Sequence, residues 1–138
     1  MAKNILISCV SKKLDHKSKA EDLYISTLFK YNLQYAKSLG ADRIFILSAK
    51  HGLLNLEEEI EPYNQTLNNM KAGEIRKWSN KVLSQLKDST DIKNDNFLFL
   101  AGASYRKNLL PHISNYEIPL EGMRIGEQLQ HLKKLCQR

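Results

Sequence analysis

The chain has 138 residues, 42% of them hydrophobic and 26% charged, which is the composition of one folded domain and not of a disordered segment. A net charge of +6 with a pI near 9.3 fits attraction to nucleic acid or phosphate, and equally a lysine-rich solvated surface. Cys9 and Cys136 lie far apart without C-x-x-C spacing, which argues against a disulfide framework or a zinc site and fits a reducing cytoplasm. The apolar run at residues 5–10 is too short for a signal-peptide core or a bilayer span, so a cytoplasmic location without a membrane partner is expected.

Residues 4–10 read as a strand buried on both faces, because the run is almost continuously apolar. A loop carrying Lys12, Lys13, Lys17 and Lys19 follows. Helical periodicity begins near Asp22, a candidate N-cap, and continues through Leu23, Leu28, Tyr31 and Tyr35 to a C′ glycine at Gly40. Residues 43–48 form a second buried strand, and the strand-helix-strand order implies a parallel βαβ unit. From Ala49 to Leu67 the chain reads as an irregular excursion, on the strength of Pro62 and Asn64. An amphipathic helix at residues 72–86 aligns Ile75, Trp78, Val82, Leu83 and Leu86 on one face. Residues 97–101 are a third strand, followed by a short helix that ends before Pro111. A weak fourth strand at 116–118 and a turn through Pro119 and Gly122 lead into a last helix at 125–136. The expectation is a single α/β domain over residues 1–138. It has three layers, with a mostly parallel central sheet of about four strands and helices on both faces.

In such a sheet, ligands bind beyond the carboxyl ends of the strands, where loops and helix N-termini converge. Here those loops begin near Ser8, Ser48, Ala101 and Pro119, and they mix small residues with reactive ones, whereas the opposite loops are plain turns. Lys50, His51 and Gly52 offer a cation, an imidazole and a residue free to take positive φ, which suit phosphate binding, proton transfer or simple loop packing. Lys12 can hold an anion or remain a solvated lysine. Gly102 and Tyr105 match a tight βα turn with an aromatic that either stacks on a base or joins the core.

Glu121, between Leu120 and Gly122, can activate water, attack an anomeric carbon, or bond the amides of the last helix. Asp22 carries the same ambiguity. Cys9 serves as a nucleophile only beside a base such as His51, and otherwise as a small buried residue. No P-loop, G-x-G-x-x-G, G-x-S-x-G or H-E-x-x-H motif occurs, so ATP hydrolysis, dinucleotide redox chemistry and zinc hydrolysis are disfavoured, and no metal or cofactor is expected.

The combination Cys9-x-x-Lys12-Lys13-Leu14, Asp22-Leu23-Tyr24-x-Ser26-x-x-Phe29, Leu47-Ser48-Ala49-Lys50-His51-Gly52-Leu53 and Pro62-Tyr63-x-x-Thr66-Leu67 is distinctive. So are Ala101-Gly102-x-x-Tyr105 and Pro119-Leu120-x-Gly122-x-x-Ile125-Gly126-x-Gln128-Leu129. Together they resemble a little-characterised family of small prokaryotic domains. More distantly, the pattern is similar to the peroxide-stress protein YaaA and to the uracil-DNA-glycosylase-like part of archaeosine synthase. The family resemblance implies a site built from Cys9, Lys12, Tyr24, Ser48, Lys50, His51, Tyr63, Tyr105, Glu121 and Gly122. The distant one implies recognition of nucleic acid or nucleobases.

The expected function is therefore recognition of a nucleobase, nucleoside or nucleotide, with action at an N-glycosidic bond. In that reading Lys12 and Lys50 hold phosphate, Tyr24 or Tyr105 stacks on the base, and Glu121 or Asp22 assists water. The alternative is a non-catalytic nucleic-acid-binding domain, whose lysines contact phosphates. The expected partner is a small nucleobase or phosphorylated ligand, or nucleic acid; the oligomeric state is not read from the sequence.

Overall fold

The computed structural model describes residues 1–8 and 13–136. In chain order the elements are β1 (Lys3–Ser8), β2 (Ser18–Lys19), α1 (Ala20–Leu23), α2 (Thr27–Ser38), β3 (Arg43–Ser48), β4 (Gly52–Asn55) and β5 (Glu59–Ile60). They continue with α3 (Ala72–Ser89), β6 (Asn96–Leu100), α4 (Ala103–Arg106), β7 (Tyr116–Glu117) and α5 (Ile125–Cys136), with short 3-10 turns at Leu67–Asn69 and Leu110–His112. None of the described helices is long and apolar enough to cross a membrane.

A five-stranded sheet runs in the order β4-β3-β1-β6-β7. β1 pairs parallel with β3 and with β6, and β6 pairs parallel with β7, whereas β4 runs antiparallel to β3. The sheet thus has five strands and not four. The added one is β4, which lies inside the stretch read as irregular. Ala49, Lys50 and His51 turn the chain, Gly52 takes φ +77°, and Ser48 pairs with Gly52 and Leu47 with Leu53. A three-residue hairpin loop closed by a left-handed glycine is a common way to reverse a strand. A separate two-stranded ribbon joins β2 to β5.

Successive strand residues enter different cores, as the two-residue period of a pleated strand requires. Ile5, Ile7, Ile46, Leu98 and Leu100 pack with Phe29, Ala36 and Leu132 from α2 and α5. Leu6, Phe45, Leu47, Phe97 and Phe99 pack instead with Trp78, Val82, Leu83 and Leu86 from α3. Those four α3 residues lie on the stripe that helical periodicity marks out.

Helix α2 starts later than expected. Its N-cap is Ser26, whose hydroxyl accepts from the Phe29 amide at 3.2 Å, so Asp22 caps nothing there and lies exposed in α1. The helix closes as expected, with Leu39 at the C-cap and Gly40 at φ +64°. The short helix after β6, α4, ends before Pro111 as expected, and Pro111 itself sits within the second 3-10 turn.

Candidate functional site

β1 lies at the centre of the parallel strands. The chain leaves it toward β3 on one side and later returns to β6 on the other. That reversal separates the loops after β1 and β6 and opens a crevice at their carboxyl ends. A cleft of about 700 Å³ lies there, lined by Ser8 from β1, by the segment from Phe99 to Arg106, and by the turn holding Leu120, Glu121 and Gly122. Its upper edge is tied by the Gly102 amide, which donates to the Ser8 hydroxyl at 3.1 Å.

The cleft wall is mixed. Leu28, Leu100, Ile118, Leu120 and Met123 supply apolar surface. Asn32, Asn64, Gln65, Asn68, Asn69 and Gln128 supply carboxamides. Lys13 and Arg106 bring positive charge, and Glu121 brings negative charge. Arg106 is largely buried, donates from Nη1 to the Ala101 carbonyl at 2.6 Å, and keeps Nη2 3.9 Å from Oε2 of Glu121. That separation is too long for a hydrogen bond, and the Glu121 side chain is 66% exposed, so the attraction is weak and screened. Glu121 faces Arg106, and α5 begins only at Ile125.

A second set of polar groups lies under the β3–β4 turn. Ser48, fully buried, donates its hydroxyl to that of Tyr63 at 2.7 Å and accepts from the His51 amide at 3.1 Å. The hydroxyls of Tyr63 and Tyr24 share a further hydrogen bond at 2.6 Å. Trp78 donates its indole N–H to the Ser48 carbonyl at 2.7 Å, which fixes the strand end from the α3 side. His51 stands edge-on to Tyr63, and its Nε2 is enclosed without a hydrogen-bond partner among the described residues. Burial, followed by the charges of Lys50 and Lys81, pushes its pKa below the ordinary histidine value, against a smaller opposing effect of Glu58.

Lys13 joins the two sets. Its ammonium sits 4.6 Å from the centroid of the Tyr63 ring and 5.7 Å from that of Tyr24, within cation–π range, while its side chain also lines the cleft.

The residues singled out from the sequence therefore fall into groups. Gly102, Tyr105, Glu121 and Gly122 line the cleft, and Gly122 takes φ +81° in the turn that presents Glu121. Tyr24, Ser48, Tyr63 and His51 form the buried polar cluster. Lys50 is exposed in the turn beside His51. Asp22 lines a separate surface depression with Glu21, Ile25, Lys30 and Lys37. Cys9 and Lys12 lie outside the described residues. Tyr105 is buried and edge-on to Trp78 at 5.6 Å, so it offers the cleft a rim and not an open face.

Sequence reasoning passed over Asn32, Arg106 and the joining role of Lys13. Asn32 left one legible signal, a polar residue inside the apolar stripe of α2.

A family model described as a family of unknown function, DUF6884, matches residues 5–134. The chain belongs to that family. No curated protein and no solved structure matches it. The matched residues take in both the cleft and the tyrosine cluster.

Proposed function

We propose that this DUF6884 chain recognises a nucleobase, nucleoside or nucleotide in the cleft between β1 and β6, and acts at an N-glycosidic bond. The observation that carries the reading is the lining of that cleft, at a topological switch point: among the described residues, an apolar floor, several carboxamides, two cations and one carboxylate. Flat heterocycles need apolar contact on their faces and hydrogen bonds at their edges, and carboxamides supply both donor and acceptor. The similarity of the sequence motifs to the uracil-DNA-glycosylase-like part of archaeosine synthase points the same way.

In this reading Arg106 and Lys13 hold a phosphate or another anionic group of the ligand. Glu121 takes the proton of a water whose oxygen bonds to the anomeric carbon. The carbon–nitrogen bond then breaks, and the departing base is protonated from solvent. Asp22 faces a different depression, so the water-activating role falls to Glu121.

The test is base release from nucleosides and 5′-mononucleotides, followed by chromatography. Glu121→Gln is expected to abolish release while leaving ligand binding and folding intact. Unchanged release would remove Glu121 from the mechanism, and binding without release by the wild-type protein would leave a recognition domain.

A further inference from the structure

Asn32 occupies the buried stripe of α2 with Phe29 and Ala36 and is only 4% exposed. Its Oδ1 is enclosed and has no hydrogen-bond partner among the described residues. A buried polar atom left unpaired costs about 1–3 kcal/mol, and an aliphatic residue would avoid that cost. The position is not in the closed core, however. Asn32 lines the cleft with Leu28 and Leu100. The other lining carboxamides differ: Asn64, Gln65, Asn68 and Asn69 are exposed, and Gln128 already donates to the Met123 carbonyl at 3.0 Å.

We infer that Asn32 is the specificity-determining residue of the cleft, its carboxamide oxygen accepting a hydrogen bond from a ring or amino N–H of the bound base. This rests on the base-binding reading and narrows its ligand to bases that carry an N–H donor on the edge facing α2. The preference follows from the same physics that makes the residue unfavourable in the free protein. A ligand with the donor pairs Oδ1, and one without it leaves the oxygen unpaired and the site emptied of water.

The experiment is calorimetric titration of wild-type protein and Asn32→Leu with uridine, guanosine, adenosine and cytidine, each also as its 5′-monophosphate. Each probe is paired with its analogue methylated at the donor nitrogen, and the stability of both ligand-free proteins is measured by chemical denaturation. The expected result has three parts. The tightest probe weakens about tenfold or more on Asn32→Leu. Methylation weakens it on wild-type protein but has little further effect on the variant. Ligand-free Asn32→Leu is at least as stable as wild type.

Equal binding of methylated and unmethylated probes to wild-type protein would overturn the inference without any mutation. A ligand-free Asn32→Leu that is destabilised or unfolded would also overturn it, marking Asn32 as part of the fold and leaving base binding itself standing. Failure of every probe to bind wild-type protein would remove both readings together.

Discussion

Ser48, the last residue of β3, donates its hydroxyl to that of Tyr63 at 2.7 Å, and Tyr63 in turn shares a 2.6 Å hydrogen bond with Tyr24. Three buried hydroxyls from three parts of the chain thus form one line beneath the β3–β4 turn, with Lys13 over the two tyrosine rings. Buried polar groups of this kind are costly unless paired, so the pairing is structural as well as chemical.

Tyr63→Phe removes both of those hydrogen bonds while keeping the ring under Lys13. The expected loss is about 1–3 kcal/mol of stability, read by urea denaturation. A variant as stable as wild type would show that the line of hydroxyls does not hold the fold.

The His51 pKa is held below its ordinary value of 6.5, first by burial and then by Lys50 and Lys81. The unfolded chain takes up this proton near 6.5, and the folded chain only at lower pH. His51 therefore contributes stability that is fully present above 6.5 and lost as pH falls through the depressed folded value. Denaturation free energies measured from pH 7.5 downward are expected to fall more steeply for wild type than for His51→Gln just below 6.5. Equal slopes would contradict the depressed value.

Gly52 and Gly40 both take positive φ, +77° and +64°, but differ in surroundings. A Cβ at Gly40 meets nothing, whereas one at Gly52 would strike Oε1 of Gln85, which accepts from the Leu53 amide at 2.9 Å. Gly40→Ala is expected to cost about 1 kcal/mol through backbone strain alone. Gly52→Ala is expected to cost clearly more, about 2–3 kcal/mol, because the clash and the Gln85 bond add to the strain. Thermal or chemical denaturation of the pair separates the two contributions, and equal losses would show that Gln85 moves aside freely.

Arg106 presents a guanidinium to the cleft whose carboxylate neighbour, Glu121, stands 3.9 Å away and mostly exposed. Arg106→Gln is expected to weaken a 5′-mononucleotide about tenfold while leaving the matching nucleoside nearly unchanged, as titration of the two would show. An equal loss for both would place the arginine in support of the cleft wall and not in contact with phosphate.

Much of the fold was legible because its signals are local. The apolar runs of β1, β3 and β6 and the periodic stripe of α3 need no partner to be recognised. β4 was missed because Gly52, Leu53, Leu54 and Asn55 make a four-residue strand directly before an acidic stretch, and Pro62, which suggested irregularity, lies beyond it. β2 and β5, two residues each, are defined only by pairing with one another across the chain.

The site divides the same way. Loop positions such as Gly102 and Glu121 follow from strand ends, and they do line the cleft. The bond from Ser48 to Tyr63 and the place of Asn32 in the cleft lining depend on how α2 and the 55–70 segment pack, which no local pattern records.

The most direct measurement is a ligand titration of wild-type protein with bases, nucleosides and 5′-mononucleotides, beside short single-stranded and duplex DNA and RNA, at low and moderate salt. Thermal stability is one readout, and the emission of Trp78, the single tryptophan, edge-on to Tyr105 at the cleft rim, is the other. The expected result is saturable stabilisation by a small base or nucleotide, approaching about 2.7 kcal/mol at a hundredfold excess over Kd and surviving moderate salt. Stabilisation by polymers alone, lost as salt is added, would contradict a base-binding cleft and identify a phosphate-binding surface instead.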